Sequence, residues 1–175
     1  MITVYVWNEA NGGAGGLLWG ASGARVGHAA MEIRGGKPAD AAYVSWWPRH
    51  DTWGDLLVGT RAYARRSLSM DRRDEGGLAP DHSIIIPGSD DSGGPGPGLN
   101  ETVMKRWWAD WQRQPTYRLM DRNCSTAVVR GLMAGGAEPY SHRTLYINSD
   151  AVIWGPSDVV AIAKACVKGI AASNY

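Results

Sequence analysis

Apolar and polar positions divide the chain into a strand-rich first part and a helical last third. Residues 2–7 (ITVYVW) are β-branched or aromatic and predict a strand. Val26–Arg34 (VGHAAMEIR) predicts a second, and Ala41–Trp47 (AAYVSWW) a third that Pro48 ends. Gly35-Gly36-Lys37-Pro38 supplies turn chemistry between these two, which therefore read as an antiparallel hairpin. Asp81–Pro87 (DHSIIIP) predicts a fourth strand, its Ile84-Ile85-Ile86 run reading as buried on both faces. Beyond it the period changes. Asn100 is a good N-cap, with Glu101 in the first turn, for a helix that Pro115 stops. Met104, Trp107, Trp108 and Trp111 form its apolar stripe, at spacings of three and four. Asn123–Met133 predicts a second helix, closed by Gly135-Gly136. Ser157 caps a third, Asp158 to about Ala172. The order of elements predicts an α+β fold, an antiparallel sheet packed against helices, as a single domain over 1–175.

The segments between these elements are long. Asn8–Arg25 carries Gly12, Gly13, Gly15, Gly16, Gly20 and Gly23 and reads as a functional loop rather than a connector. No helix follows it, so a dinucleotide fingerprint does not fit. Arg49–Pro80 is a polar excursion, partly helical over Asp55–Ser67, and Gly88–Gly98 is low-complexity loop.

Composition sharpens the picture at a few points. The chain has nine Trp and no Phe, so indoles must supply the large aromatic packing; the Trp107, Trp108, Trp111 stripe is read as core. A formal net charge of +1 gives no footprint for nucleic acid or for an anionic membrane surface. The basic run Arg61–Arg73, interrupted by Asp71 and followed by Asp74 and Glu75, reads as a solvated loop or a partner-facing patch. Cys124 and Cys166 are the two cysteines, too few for a disulfide scaffold and without the spacing of a thiolate zinc site. No metal and no cofactor is expected. The first residues lack the charged and apolar regions of a signal peptide, and no apolar run approaches the roughly 20 residues that span a bilayer. The expectation is a soluble protein made in the cytoplasm, with export left to a signal-independent route.

The chemistry concentrates on Cys124. The polar turn Asp121-Arg122-Asn123 delivers it to the first turn of a helix, where unpaired N–H groups and the helix dipole favour a thiolate and can donate to an oxyanion. A thiol nucleophile needs a base. His50, His82 and His142 fall at a loop, a strand edge and an irregular stretch. His28 lies inside a predicted strand, sharing its face with Val26, Ala30 and Glu32, and small neighbours leave room for a helix end or substrate. Cys166, among Ala165, Val167 and Ile170, reads as a packing residue.

A strand His in a GHAAMEI context, then a hairpin, then a Tyr-x-x-x-x-x-Asn-Cys helix start (Tyr117 to Cys124) resembles the circularly permuted NlpC/P60-like branch of the papain-like cysteine hydrolases. That branch includes lecithin:retinol acyltransferase-like and PPPDE-type proteins. The resemblance covers about 26–47 and 116–136, roughly a quarter of the chain. It implies a permuted papain-like fold, Cys124 as nucleophile, His28 as base, Asn123 and the Cys124 N–H as site or oxyanion support, and a thioester intermediate. It also implies a polar residue orienting the imidazole from the next strand. If Arg34 pairs with Ala39, His28 falls opposite Ser45; a shift of two residues brings Tyr43 or Trp47 opposite instead. Some family members use a second His here, and none occurs between His28 and His50.

Trp46 and Trp47, beside the proposed site, together with Tyr43, are candidate substrate-binding residues; the plainer reading of the Trp pair is one in the core and one capping the sheet. The resemblance implies three substrate classes: peptidoglycan crosslinks, isopeptide or side-chain amides of proteins, and lipid acyl esters. Amide hydrolysis is the first expectation, because no apolar or basic anchoring segment is visible. A lipid acyltransferase or phospholipase is the alternative, and outside catalysis, a binding module on the same fold. A short, signal-less, Gly-rich cysteine hydrolase fits a delivered bacterial effector or toxin domain by analogy, with an inhibitor or immunity protein as partner.

Overall fold

The computed structural model describes residues 1–8, 17–19, 24–35, 40–89, 97–141, 144 and 153–173. Among the described residues the strands are β1 (Ile2–Trp7), β2 (Leu17–Trp19), β3 (Ala24–Val26), β4 (His28–Ile33), β5 (Ala42–Pro48), β6 (Thr60–Ala64), β7 (His82–Ile86) and β8 (Thr116–Tyr117). The helices are α1 (Trp53–Val58), α2 (Leu68–Asp74), α3 (Glu101–Trp111), α4 (Cys124–Ala134) and α5 (Pro156–Ala172). Six strands form one sheet in the order β7-β1-β4-β5-β6-β8, with every neighbouring pair antiparallel. The expected α+β architecture, an antiparallel sheet packed against helices, is present.

Strand alternation gives the sheet two distinct faces. Ile2, Val4 and Val6 of β1, Ala29, Met31 and Ile33 of β4, and Val44 and Trp46 of β5 join one core with Met104, Trp108 and Trp111 of α3, Val128, Val129 and Leu132 of α4, and Ile162 and Cys166 of α5. The indoles fill the role that Phe usually takes. Trp46 meets Trp108 and Trp111 edge-on, at centroid distances of 5.7 and 6.3 Å. Trp108 and Trp111 are buried as expected, while Trp107 is half-buried. At Gly131 a Cβ would stand 2.4 Å from Met31 Cε, so this glycine lets α4 lie close on β4. The second face carries a smaller cluster, Tyr5, Trp7 and Ala30, with Tyr43 and Leu68 packed against it.

Several expectations are corrected. The strand read over 26–34 is broken at Gly27, and its first part pairs with β2 inside the Gly-rich stretch, Leu17 against Val26. Residues 9–16 and 20–23 of that stretch, the 36–39 part of the predicted turn, and residues 90–96 of the 88–98 loop lie outside the described residues. The 49–80 excursion is not mainly loop: it holds α1, β6 and α2. Ile85 is 59% exposed and only Ile86 is fully buried, because β7 is the last strand of the sheet. The last helix starts at Pro156 rather than Asp158, capped by Gly155, whose N–H donates to Asp158 Oδ2.

The β4–β5 register is the two-residue shift toward Trp47, not the pairing that sets Ser45 opposite His28. Ala30 pairs with Ser45, Glu32 with Tyr43 and Ile33 with Ala42, two residues from the pairing that would set His28 opposite Ser45. The connection runs from Arg34 to Ala41, longer than the turn the glycines suggested.

Candidate active site

Cys124 is the first residue of α4, and Asn123 caps that helix with its Oδ1 accepting from Thr126 N–H at 2.7 Å. The Asn123 amide is fully engaged: its Nδ2 donates to Leu119 O at 2.8 Å and to Trp154 O at 3.0 Å. Asn123 thus ties the start of α4 to two segments around it. With both amide hydrogens spent on backbone carbonyls, Asn123 has none left to offer an oxyanion.

His28 opens β4 opposite Trp7 and is 1% exposed. Its ring sits between Trp7 and Trp47, at centroid distances of 5.5 and 4.2 Å. Nε2 lies 3.4 Å from Asp71 Oδ2 and 3.4 Å from Ser45 Oγ. Nδ1 has no hydrogen-bond partner among the described residues. The imidazole and the Cys124 side chain act on each other's charge.

Asp71 is the residue that sequence reasoning missed. It comes from α2, inside the basic run read as solvent-facing, and is fully buried. Ser45 Oγ donates to its Oδ1 at 2.7 Å, Trp47 Nε1 to the same oxygen at 2.9 Å, and the Tyr43 hydroxyl to Oδ2 at 2.7 Å. A buried carboxylate with this many donors is the arrangement that keeps a charge tolerable away from water. The one available signal was an acidic residue interrupting a run of arginines.

The electrostatics follow from these contacts. Burial alone would lower the His28 pKa, but the Asp71 carboxylate and the Cys124 sulfur raise it to about 10. Burial alone would raise the Cys124 pKa; His28, the Ala29 N–H and Ser125 outweigh it and the net shift is downward. Burial likewise opposes the Asp71 charge, and His28, Ser45 and Tyr43 overcome it, so this carboxyl also lies below its ordinary value. Cys166 behaves oppositely: burial pushes its thiol up to about 11. The set can hold a thiolate next to an imidazolium, with a carboxylate behind the ring.

The phenol of Tyr117 completes the surroundings of the sulfur. It interacts with the Cys124 side chain and accepts from the Cys124 N–H, and burial first, then the neighbouring sulfur, keeps it protonated. A cavity of about 220 Å³ opens beside Cys124, lined by apolar groups of Tyr117, Leu119, Ile153, Trp154 and Pro156 together with Gly27. At Gly27 a Cβ would stand 2.1 Å from Trp7 O and 3.1 Å from Pro156 Cγ, so the chain enters β4 only with a glycine here.

Trp46, Trp47 and Tyr43 do not line this cavity. Trp46 is core, its Nε1 donating to Thr116 O at 3.2 Å; Trp47 lies under the imidazole, and Tyr43 reaches Asp71. Ser45 meets His28 diagonally rather than across the strand pair, and it also serves Asp71. His50 is exposed, His82 lies on β7, and His142 falls outside the described residues. Among the described residues no group of three or more His, Cys, Asp or Glu is placed to hold a metal ion, and no helix is long and apolar enough to cross a membrane.

Residues 96–175 match the family model described as the IcsB middle domain. That stretch contains α3, β8, α4 with Cys124, and α5, and stops short of His28 and Asp71. No curated protein and no solved structure matches the chain.

Proposed function

We propose that this chain is a cysteine-dependent hydrolase or acyltransferase working through a thioester on Cys124. The observation that carries this reading is the buried thiol whose pKa is drawn down by His28, a base backed in turn by Asp71. The order of the parts, a His strand in an antiparallel sheet followed by an Asn-Cys helix start, supports the resemblance to permuted papain-like hydrolases.

The Cys124 thiolate attacks a carbonyl carbon, forming the C–S bond. The Tyr117 hydroxyl, which borders the Cys124 side chain, is a donor for the developing oxyanion. The His28 imidazolium protonates the leaving group as its bond to the carbonyl breaks. An acceptor then gives its proton to His28 and attacks the thioester, releasing the thiolate: water completes hydrolysis, an amine or alcohol completes transfer.

Amide bonds of proteins or of peptidoglycan are one substrate class. A second reading within the same chemistry, a lipid acyl ester or similarly apolar acyl donor, is favoured by the cavity beside the sulfur, whose walls are mostly hydrocarbon and aromatic.

Incubating wild type and Cys124→Ala with peptidoglycan, ubiquitin chains and phospholipid, and reading products and Cys124 adducts by mass spectrometry, tests both readings. The expected result is a product, and an acyl mass on Cys124, with the wild type only. Iodoacetamide near pH 6 should label Cys124 and leave Cys166 untouched. Equal, slow labelling of both thiols would reject catalysis and leave a binding module.

A further inference from the structure

We propose that Tyr43 is a positioning residue for the reaction of Cys124, acting on the imidazole through Asp71. The inference rests on the thiolate reading above and adds to it a residue that touches neither the thiol nor the cavity beside it.

The two carboxylate oxygens of Asp71 are held unequally. Oδ1 takes Ser45 Oγ at 2.7 Å and Trp47 Nε1 at 2.9 Å. Oδ2 faces His28 Nε2 at 3.4 Å and is fixed by the Tyr43 hydroxyl at 2.7 Å. Tyr43 is therefore the donor on the oxygen that meets the imidazole. Without it that oxygen would have only the ring nitrogen to orient it, and the carboxylate could turn about the pair of donors on the other side.

Packing does not account for the hydroxyl. The Tyr43 ring lies outside the main core, against Tyr5 at a centroid distance of 6.4 Å, and lines a groove of about 280 Å³ with Tyr5, Glu32, Arg34, Arg66 and Leu68. A phenylalanine ring would form that wall equally well. The groove shares no residue with the cavity beside Cys124, so a substrate seated against the sulfur does not explain the hydroxyl either. Burial and the neighbouring Asp71 charge keep the phenol protonated, so it donates at every pH at which the thiolate forms.

Removing the hydroxyl weakens the hold on the Asp71 charge, lowers the imidazolium's stability, and so raises the pH at which Cys124 ionises. The test follows iodoacetamide alkylation of Cys124 against pH in the intact chain, for wild type, Tyr43→Phe, Tyr5→Phe, Asp71→Asn and the Tyr43→Phe/Asp71→Asn pair. In Tyr43→Phe the thiolate limb should move up by about half to one pH unit, with alkylation at pH 6 falling several-fold. Tyr5→Phe, in the same groove but on Glu32, should superimpose on wild type. In the Asp71→Asn background the tyrosine change should add nothing, as a residue acting only through Asp71 requires.

A Tyr43→Phe profile that matches wild type overturns the proposal. So does a shift of equal size in the Asp71→Asn background. If Tyr43→Phe does not fold, Tyr43→Leu removes the same hydroxyl with less bulk and carries the same expectations. A wild-type limb at the ordinary thiol value, unmoved by His28→Ala, would dispose of the thiolate reading itself, a different outcome from the failure of Tyr43 alone.

Discussion

Asp71 Oδ2 lies 3.4 Å from His28 Nε2, with both side chains almost wholly shielded from solvent. The carboxylate descends from α2 onto one face of the sheet, while Cys124 arrives at the imidazole from α4, which packs on the other. The ring at the start of β4 is where the two layers meet. Charge on the carboxylate favours the imidazolium, and the imidazolium favours the thiolate, so the three groups titrate as a unit rather than singly.

Removing that carboxylate has two separable effects. Asp71→Asn should lower the His28 pKa and cut Cys124 alkylation at pH 6 by tenfold or more, about what a change of one unit or more in the thiol pKa produces. Asp71→Ala should also destabilise the fold by about 3–5 kcal/mol, since it leaves His28, Ser45, Trp47 and Tyr43 without their shared acceptor. Urea unfolding of the two variants separates the effects.

Stability should depend on pH through the same pair. The folded His28 pKa, about 10, is above its ordinary 6.5, so its contribution is full below 6.5 and lost as pH rises through about 10. The folded Asp71 pKa is below its ordinary 3.8, so its contribution is full above that value and lost as pH falls through the folded pKa. The stability gap between wild type and Asp71→Asn should therefore be widest from about pH 4 to 6.5 and shrink on either side. Equilibrium unfolding at pH 3, 5.5 and 10.5 reads it; a gap that grows at the alkaline end would contradict the pairing.

Glycine substitutions should separate site from surface. Gly27→Ala sets a methyl 2.1 Å from Trp7 O, a backbone atom that cannot swing aside, and should cost more than about 2 kcal/mol while slowing Cys124 alkylation. Gly54→Ala, in α1 with nothing within 4 Å, should stabilise by about 0.5–1 kcal/mol and leave the thiol unchanged. Thermal melts and labelling rates on the same samples provide the comparison.

Asn123 should divide by function of its amide. Asn123→Asp keeps the cap acceptor for Thr126 N–H but loses the donors to Leu119 O and Trp154 O; Asn123→Ala loses both. The alanine change should cost about 1–2 kcal/mol for the cap and more for the stranded carbonyls. The aspartate change should act chiefly on the cavity wall at Trp154, seen as altered Trp fluorescence, together with a raised Cys124 pKa from the added negative charge.

Elements whose signals are local could be read from the chain alone. The N-caps at Asn100 and Asn123, the glycine stop after α4, the β-branched and aromatic run of β1 and the Trp stripe of α3 are each written within a few neighbouring residues. Local signals also placed Cys124 on a helix tip and His28 on a strand. What these residues meet was settled by the folded arrangement. The β4–β5 register depended on a connection longer than its turn residues suggested, and that register set Ser45 diagonal to His28 and Trp47 against its ring. Asp71 sits among arginines that read as a solvated surface; its burial comes from α2 folding onto a sheet face built from distant strands, which no periodicity within 61–73 records. Hydrophobic period and capping chemistry act over a turn or two, whereas the charge state of a buried thiol is fixed by groups the chain brings together from four separate elements.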